Sequence, residues 1–169
     1  MIHLLWPLLA ACVTQAAVDA GTSADANPGQ PILFEFPGVG GDGAVSSATT
    51  RGRATVLAFV ATYDIASQAI LRNLGEVVVG FTPRANAAAV VVEPPRYAEL
   101  LPAYRDALGL PFPVVMADFA TQQGQGAFAG IERVPLLVVL DREGREVWRQ
   151  QGPVTAAQIE AALRRASRR

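Results

Sequence analysis

The chain has 169 residues, 51% of them hydrophobic and 17% charged, which is ample for one domain with a buried core and excludes disorder of the whole. With a net charge of −1 and no zinc-knuckle or helix-turn-helix spacing, it has no field or motif that would gather nucleic acid, and none is expected as a partner. Its single histidine, His3, and single cysteine, Cys12, both lie at the extreme N-terminus, so the body of the chain lacks imidazole and thiolate ligands; no metal and no other cofactor is expected.

Residues 1–12, MIHLLWPLLAAC, form an apolar run far shorter than the roughly 20 residues that span a bilayer. The run reads as a targeting segment. Leu9-Ala10-Ala11-Cys12 resembles the bacterial lipobox, in which a signal peptidase cuts before the cysteine and the cysteine is then lipidated. On that reading residues 1–11 are a lipoprotein signal and Cys12 attaches the protein to membrane lipid on the periplasmic side of a bacterial envelope. Val13 in place of aspartate after the cysteine points to the outer membrane. The alternative is an ordinary cleaved signal in which Cys12 is incidental. Residues 12–30 then form a lipidated, flexible tether of small and polar residues without amphipathic period, and residues 31–169 form the domain.

Within the domain, residues 32–36 predict a strand, the glycines of 38–43 a turn, and 53–60 a buried central strand. Asp64 is placed as the N-cap of a helix running to about residue 80, with Ile70, Leu74, Val77 and Val78 at helical spacing. Residues 87–93 predict the next buried strand. An amphipathic helix over 97–108 follows, with Leu100, Leu101, Tyr104 and Leu108 on one face and Gly109 as its C-cap. Residues 113–118 predict a short strand, 121–128 a glycine-interrupted helix, and 134–140 and 145–149 a hairpin. A terminal helix spans 156–165.

The segment Phe59-Val60-Ala61-Thr62-Tyr63-Asp64-Ile65-Ala66-Ser67 lies where thioredoxin-like oxidoreductases carry F-W-A-T-W-C-x-x-C. Ile131-Glu132-Arg133-Val134-Pro135 stands for G-V-x-G-V-P, Leu140-Asp141-Arg142-Glu143-Gly144 for I-D-x-x-G, and residues 152–159 for a G-x-x-x-x-x-x-L tail. In order and spacing these stretches resemble the thioredoxin-like redoxins of the TlpA kind, from about Phe34 to Leu163. The resemblance implies an α/β thioredoxin-like fold: a central mixed β-sheet flanked by helices, with an N-terminal β-hairpin extension. It also implies a cis peptide bond before Pro135, facing the start of the first long helix, and a backbone at Val134 that pairs with bound peptide. The bland alternative for the cis proline is a purely architectural role.

The activity of that family is thiol-disulfide exchange, which needs an attacking thiolate and a resolving thiol. Here Asp64 and Ser67 occupy the two thiol positions, Tyr63 replaces the usual tryptophan, and Ile70 replaces the glutamate of TlpA-like members. No catalytic residue is therefore assigned. The expected function is a redox-inactive, exported, membrane-anchored module that binds a protein partner through Tyr63, Asp64, Val134 and Pro135. The alternatives are a divergent oxidoreductase acting with a partner's thiols, and a structural envelope lipoprotein. A Ser-His-Asp triad is impossible without a histidine in the domain. A carboxylate pair of Asp64 with Glu93 or Asp118 is weighed against ordinary surface acids.

Overall fold

The structure, a computed structural model, describes residues 29–168; the leader and Cys12 lie outside the described residues. A two-stranded antiparallel hairpin, β1 (Glu35–Phe36) and β2 (Val45–Ser46), leads into a short helix, α1 (Ser47–Thr50). Next come β3 (Ala54–Val60), α2 (Ile65–Phe81) and β4 (Ala85–Val91), then α3 (Leu101–Leu108), β5 (Val114–Met116) and α4 (Phe119–Gln122). The chain closes with β6 (Leu136–Leu140), β7 (Glu146–Gln151) and α5 (Ala156–Ala166).

The five longer strands form one sheet in the order β5-β4-β3-β6-β7, parallel among β5, β4 and β3 and antiparallel at β6 and β7. β3 is central, and its seven residues ATVLAFV are all buried. A strand covered on both faces reads as a nearly continuous apolar run, and its one polar side chain, Thr55, is buried with its hydroxyl donating to the Arg53 carbonyl at 3.2 Å. On one face Val56, Ala58, Val60, Val91, Leu137 and Val139 meet Ile70, Leu71 and Leu74 of α2 and Ile159 and Leu163 of α5. On the other, Leu57, Phe59, Val90, Val138 and Leu140 lie under the hairpin and the segment around Phe128. There Phe34, Phe36, Phe59 and Phe128 form a ring cluster with centroid spacings from 5.1 to 6.2 Å. Each fully buried side chain of this size contributes about 1.5–3 kcal/mol relative to exposure.

Several elements differ from the sequence expectation for identifiable reasons. The helix expected over 97–108 is a 3-10 turn at Pro95–Leu100 followed by α3. A continuous helix from residue 97 would set the Pro102 ring against the carbonyl of residue 98, whereas in the first turn of α3 proline is tolerated. As a result Leu100 is exposed, while Leu101 is buried. The helix expected over 121–128 begins earlier, because Asp118 caps α4 by accepting from the Thr121 N–H at 2.7 Å. It ends at left-handed Gly124 and resumes only as a 3-10 turn, Gly126–Phe128. β4 starts and ends two residues before the expected bounds, since pairing with β3 runs from Ala54↔Ala85 to Val60↔Val91. That register releases Glu93 from the sheet. The short α1 was not expected; Ser46 and Thr49 close a capping box there.

Gly38 is required by the hairpin loop. A Cβ at this position would lie 1.9 Å from the backbone oxygen of Asp42. The loop is tied to α3 by Asp42, whose carboxylate accepts from Arg105 at 2.6 Å.

Candidate functional site

β3 and β4 run parallel and end at one edge of the sheet, where β3 feeds α2 through residues 61–64. β6 starts at the same edge, because Leu136 pairs with Phe59. This brings the Val134-Pro135 peptide, which is cis, to the edge that carries the start of α2. Pro135 is buried and Val134 half-buried. Among the described residues no hydrogen bond engages the backbone of Val134.

Asp64 is the N-cap of α2, in extended conformation, and accepts from the Ser67 N–H at 2.7 Å. The Ser67 hydroxyl donates to the same carboxylate at 2.6 Å and accepts from the Ala61 N–H at 3.3 Å. Ser67 is fully buried. The two residues at the expected thiol positions therefore form a closed ring with Ala61 in which every polar atom of Ser67 is engaged. The Ser67 hydroxyl holds the Asp64 carboxyl below the usual carboxylate range; burial opposes this, and the N–H groups of Ser67 and Ala66 add to it. The Ser67 hydroxyl proton is directed at the Asp64 carboxylate, so this side chain serves the cap.

The loop is held from below by a residue that the sequence did not single out for this role. Glu93 is buried and accepts a short hydrogen bond from the Thr62 N–H, and Gln68 donates to the Thr62 carbonyl at 3.0 Å. Asp64, Glu93 and Asp118 thus each serve a backbone N–H: two cap helices and one pins the loop. That geometry favours the structural reading of these acids over a catalytic pair. Tyr104 of α3 points its hydroxyl into the interior, where it has no hydrogen-bond partner among the described residues. Burial pushes this phenol up to about 12, helped by the negative charges of Glu93 and Asp64 and opposed by Arg72.

Tyr63 stands on the rim of this edge, 80% exposed. Two further apolar residues join it there. Ile65, the first residue of α2, is 81% exposed, and Phe119, the first residue of α4 beyond the end of β5, is 77% exposed. The signal for Ile65 was present in the sequence: at about 100° per residue it lies half a turn from the buried stripe of Ser67, Ile70, Leu71, Leu74 and Val78. Phe119 carried no such signal, because the early start of α4 decides its exposure.

Solved structures with the same arrangement include thiol-disulfide proteins. A thiol:disulfide interchange protein of the thioredoxin family from Chlorobium tepidum TLS superposes with a TM-score of 0.67 at 21% identity, covering 85% of this chain and 99% of the other. A thiol-disulfide isomerase from Corynebacterium glutamicum gives 0.65 at 18%, covering 86% and 98%. A secreted Mycobacterium tuberculosis disulfide oxidoreductase gives 0.62 at 13%, covering 79% and 96%. The chain has the thioredoxin-like fold. No protein-family model and no curated protein sequence matches it. Relative to this fold, the distinguishing feature of the chain is the closed Asp64–Ser67 cap at the start of α2.

Proposed function

We propose that this chain is an exported, membrane-anchored thioredoxin-like domain that does not exchange disulfides and binds a protein partner at the edge carrying Tyr63. The observation behind the first part is the closed ring of Asp64, Ser67 and Ala61, which supplies neither an attacking nor a resolving sulfur. The binding role is supported by the exposed apolar side chains of Tyr63, Ile65 and Phe119 at this edge. Large aromatic side chains at such positions are enriched among the anchors of protein interfaces. Asp64, Val134 and Pro135 complete the proposed surface, with the Val134 backbone available to an extended peptide. Export and anchoring at Cys12 rest on the lipobox-like leader, and the secreted status of one structural neighbour agrees with them.

The test is an insulin-reduction assay on the purified protein beside its Asp64→Cys/Ser67→Cys variant. The parent is expected to show no turnover above a protein-free control, and turnover would overturn the proposal. In the folded double variant the N-cap and third helical positions are expected to form a disulfide. Thiols that remain free to alkylation under oxidising conditions would show that the helix start no longer has dithiol geometry.

A further inference from the structure

A second feature lies at the opposite end of the sheet. A cleft of about 590 Å³ is floored by Val77, Gly80 and Phe81 near the end of α2 and walled by Arg84, Arg142, Arg164 and Arg168. These arginines come from four places in the chain: the start of β4, the β6–β7 turn, the last turn of α5 and the residues just beyond it. The parallel register of β3 and β4, and the pairing of Leu140 with Thr55, place Arg84 and Arg142 at the edge where β3 begins, remote from Asp64, and the shared cleft brings Arg164 and Arg168 to them. Two acids share the cleft. Glu160 pairs with Arg164, whose guanidinium also lies 5.8 Å from the centroid of the Phe81 ring, and Glu76 is the other. The balance stays positive, and the Gly52 N–H bond to the Arg142 carbonyl at 2.8 Å brings Arg51 and Arg53 to the same end.

The described chain enters at this end as well. Pro31 forms an isolated bridge with Arg145, and the Ile32 N–H donates to the Gly144 carbonyl at 2.9 Å, so residues 1–28 join the domain beside the basic cleft. Residues 13–28 reach at most about 55 Å at roughly 3.4 Å per residue. A lipid attached at Cys12 therefore keeps the domain within reach of headgroups, and a weak ionic contact then acts at high effective concentration. At the far end Asp64 and Asp118 cap the helices whose first residues are the exposed Ile65 and Phe119.

We infer that the cleft of Arg84, Arg142, Arg164 and Arg168 docks on anionic phospholipid headgroups, turning the Tyr63 edge away from the membrane. The inference rests on the proposed anchoring for its orientation, though the ionic contact is a property of the folded domain. Basic residues near an anionic surface attract it within about a Debye length, so the contact is sensitive to salt.

The test uses the full chain carrying Cys12→Ser, which keeps acyl chains out of the measurement, in co-sedimentation with phosphatidylglycerol/phosphatidylcholine vesicles. The expected result is salt-sensitive binding to the anionic vesicles that falls at least tenfold in the variant with Arg84→Gln, Arg142→Gln, Arg164→Gln and Arg168→Gln. Replacing Arg72 and Arg133 in the same way is expected to leave it unchanged, which shows whether arginines outside the cleft contribute. Equal binding by parent and quadruple variant, or equal binding to pure phosphatidylcholine, would overturn the proposal. So would displacement by inorganic phosphate at matched ionic strength, which would assign the cleft to a small anion. Failure of the anchor reading is seen separately, as an unmodified Cys12 in the mass spectrum of the envelope protein.

Discussion

Asp64 carries two consequences that separate by pH. As the N-cap of α2 it satisfies the Ser67 N–H and hydroxyl together, and Asp64→Ala is expected to cost about 0.5–2 kcal/mol at neutral pH. Because the folded state lowers its proton affinity from the ordinary 3.8, this contribution is full above about pH 4 and is lost as pH falls through the depressed folded value. Urea unfolding of parent and variant should therefore converge in acid and diverge towards neutrality. Tyr104 behaves in the opposite sense. Its folded value lies above the ordinary one, at about 12 against 10.0, so the unfolded chain ionises first and the fold loses stability as pH rises from 10 towards 12. Tyr104→Phe removes a buried hydroxyl without a partner and is expected to raise stability by about 1 kcal/mol at neutral pH. It should also delete the highest phenol transition from an ultraviolet titration.

At the level of elements, the second face of the sheet is the sensitive one, because a two-stranded hairpin and a 3-10 turn cover it where helices cover the first. Phe128 is fully buried at the centre of the ring cluster, 5.1 Å from Phe59 and 5.3 Å from Phe34. Phe128→Ala is expected to lower unfolding stability by about 3–5 kcal/mol, measured by denaturant titration, while the α2 face stays packed. The sheet and long helices were legible in the sequence because their signals are local: an apolar run in β3 broken only by Thr55, an aspartate before the stripe of α2, and a threonine before α5. Elements governed by proline and glycine were misplaced, as Pro102 and Gly124 show. In the site, the Asp64 cap was visible from sequence. The role of Glu93 was not, because it bonds Thr62 across 31 residues through a register that only the β3–β4 pairing sets.

Over the described residues the two ends of the sheet differ, with exposed apolar side chains beside the capped start of α2 at one and arginines around a cleft at the other. No helix among the described residues is long and apolar enough to cross a membrane; the attachment proposed above is through Cys12. In the proposed orientation the Tyr63 edge faces away from the membrane, and Tyr63→Ala is expected to weaken the proposed complex by about 1–3 kcal/mol with little change in folding, since the side chain is exposed. The central claim, that the edge around the closed Asp64–Ser67 cap is a protein-binding surface, is tested most directly by site-specific photocrosslinking in the native envelope. A photoreactive residue is placed at Tyr63 or, as a comparison, at Val79, which is 65% exposed near the other end of α2. The account predicts a discrete protein adduct from position 63 and none from position 79; adducts from position 79 with none from position 63 would contradict it.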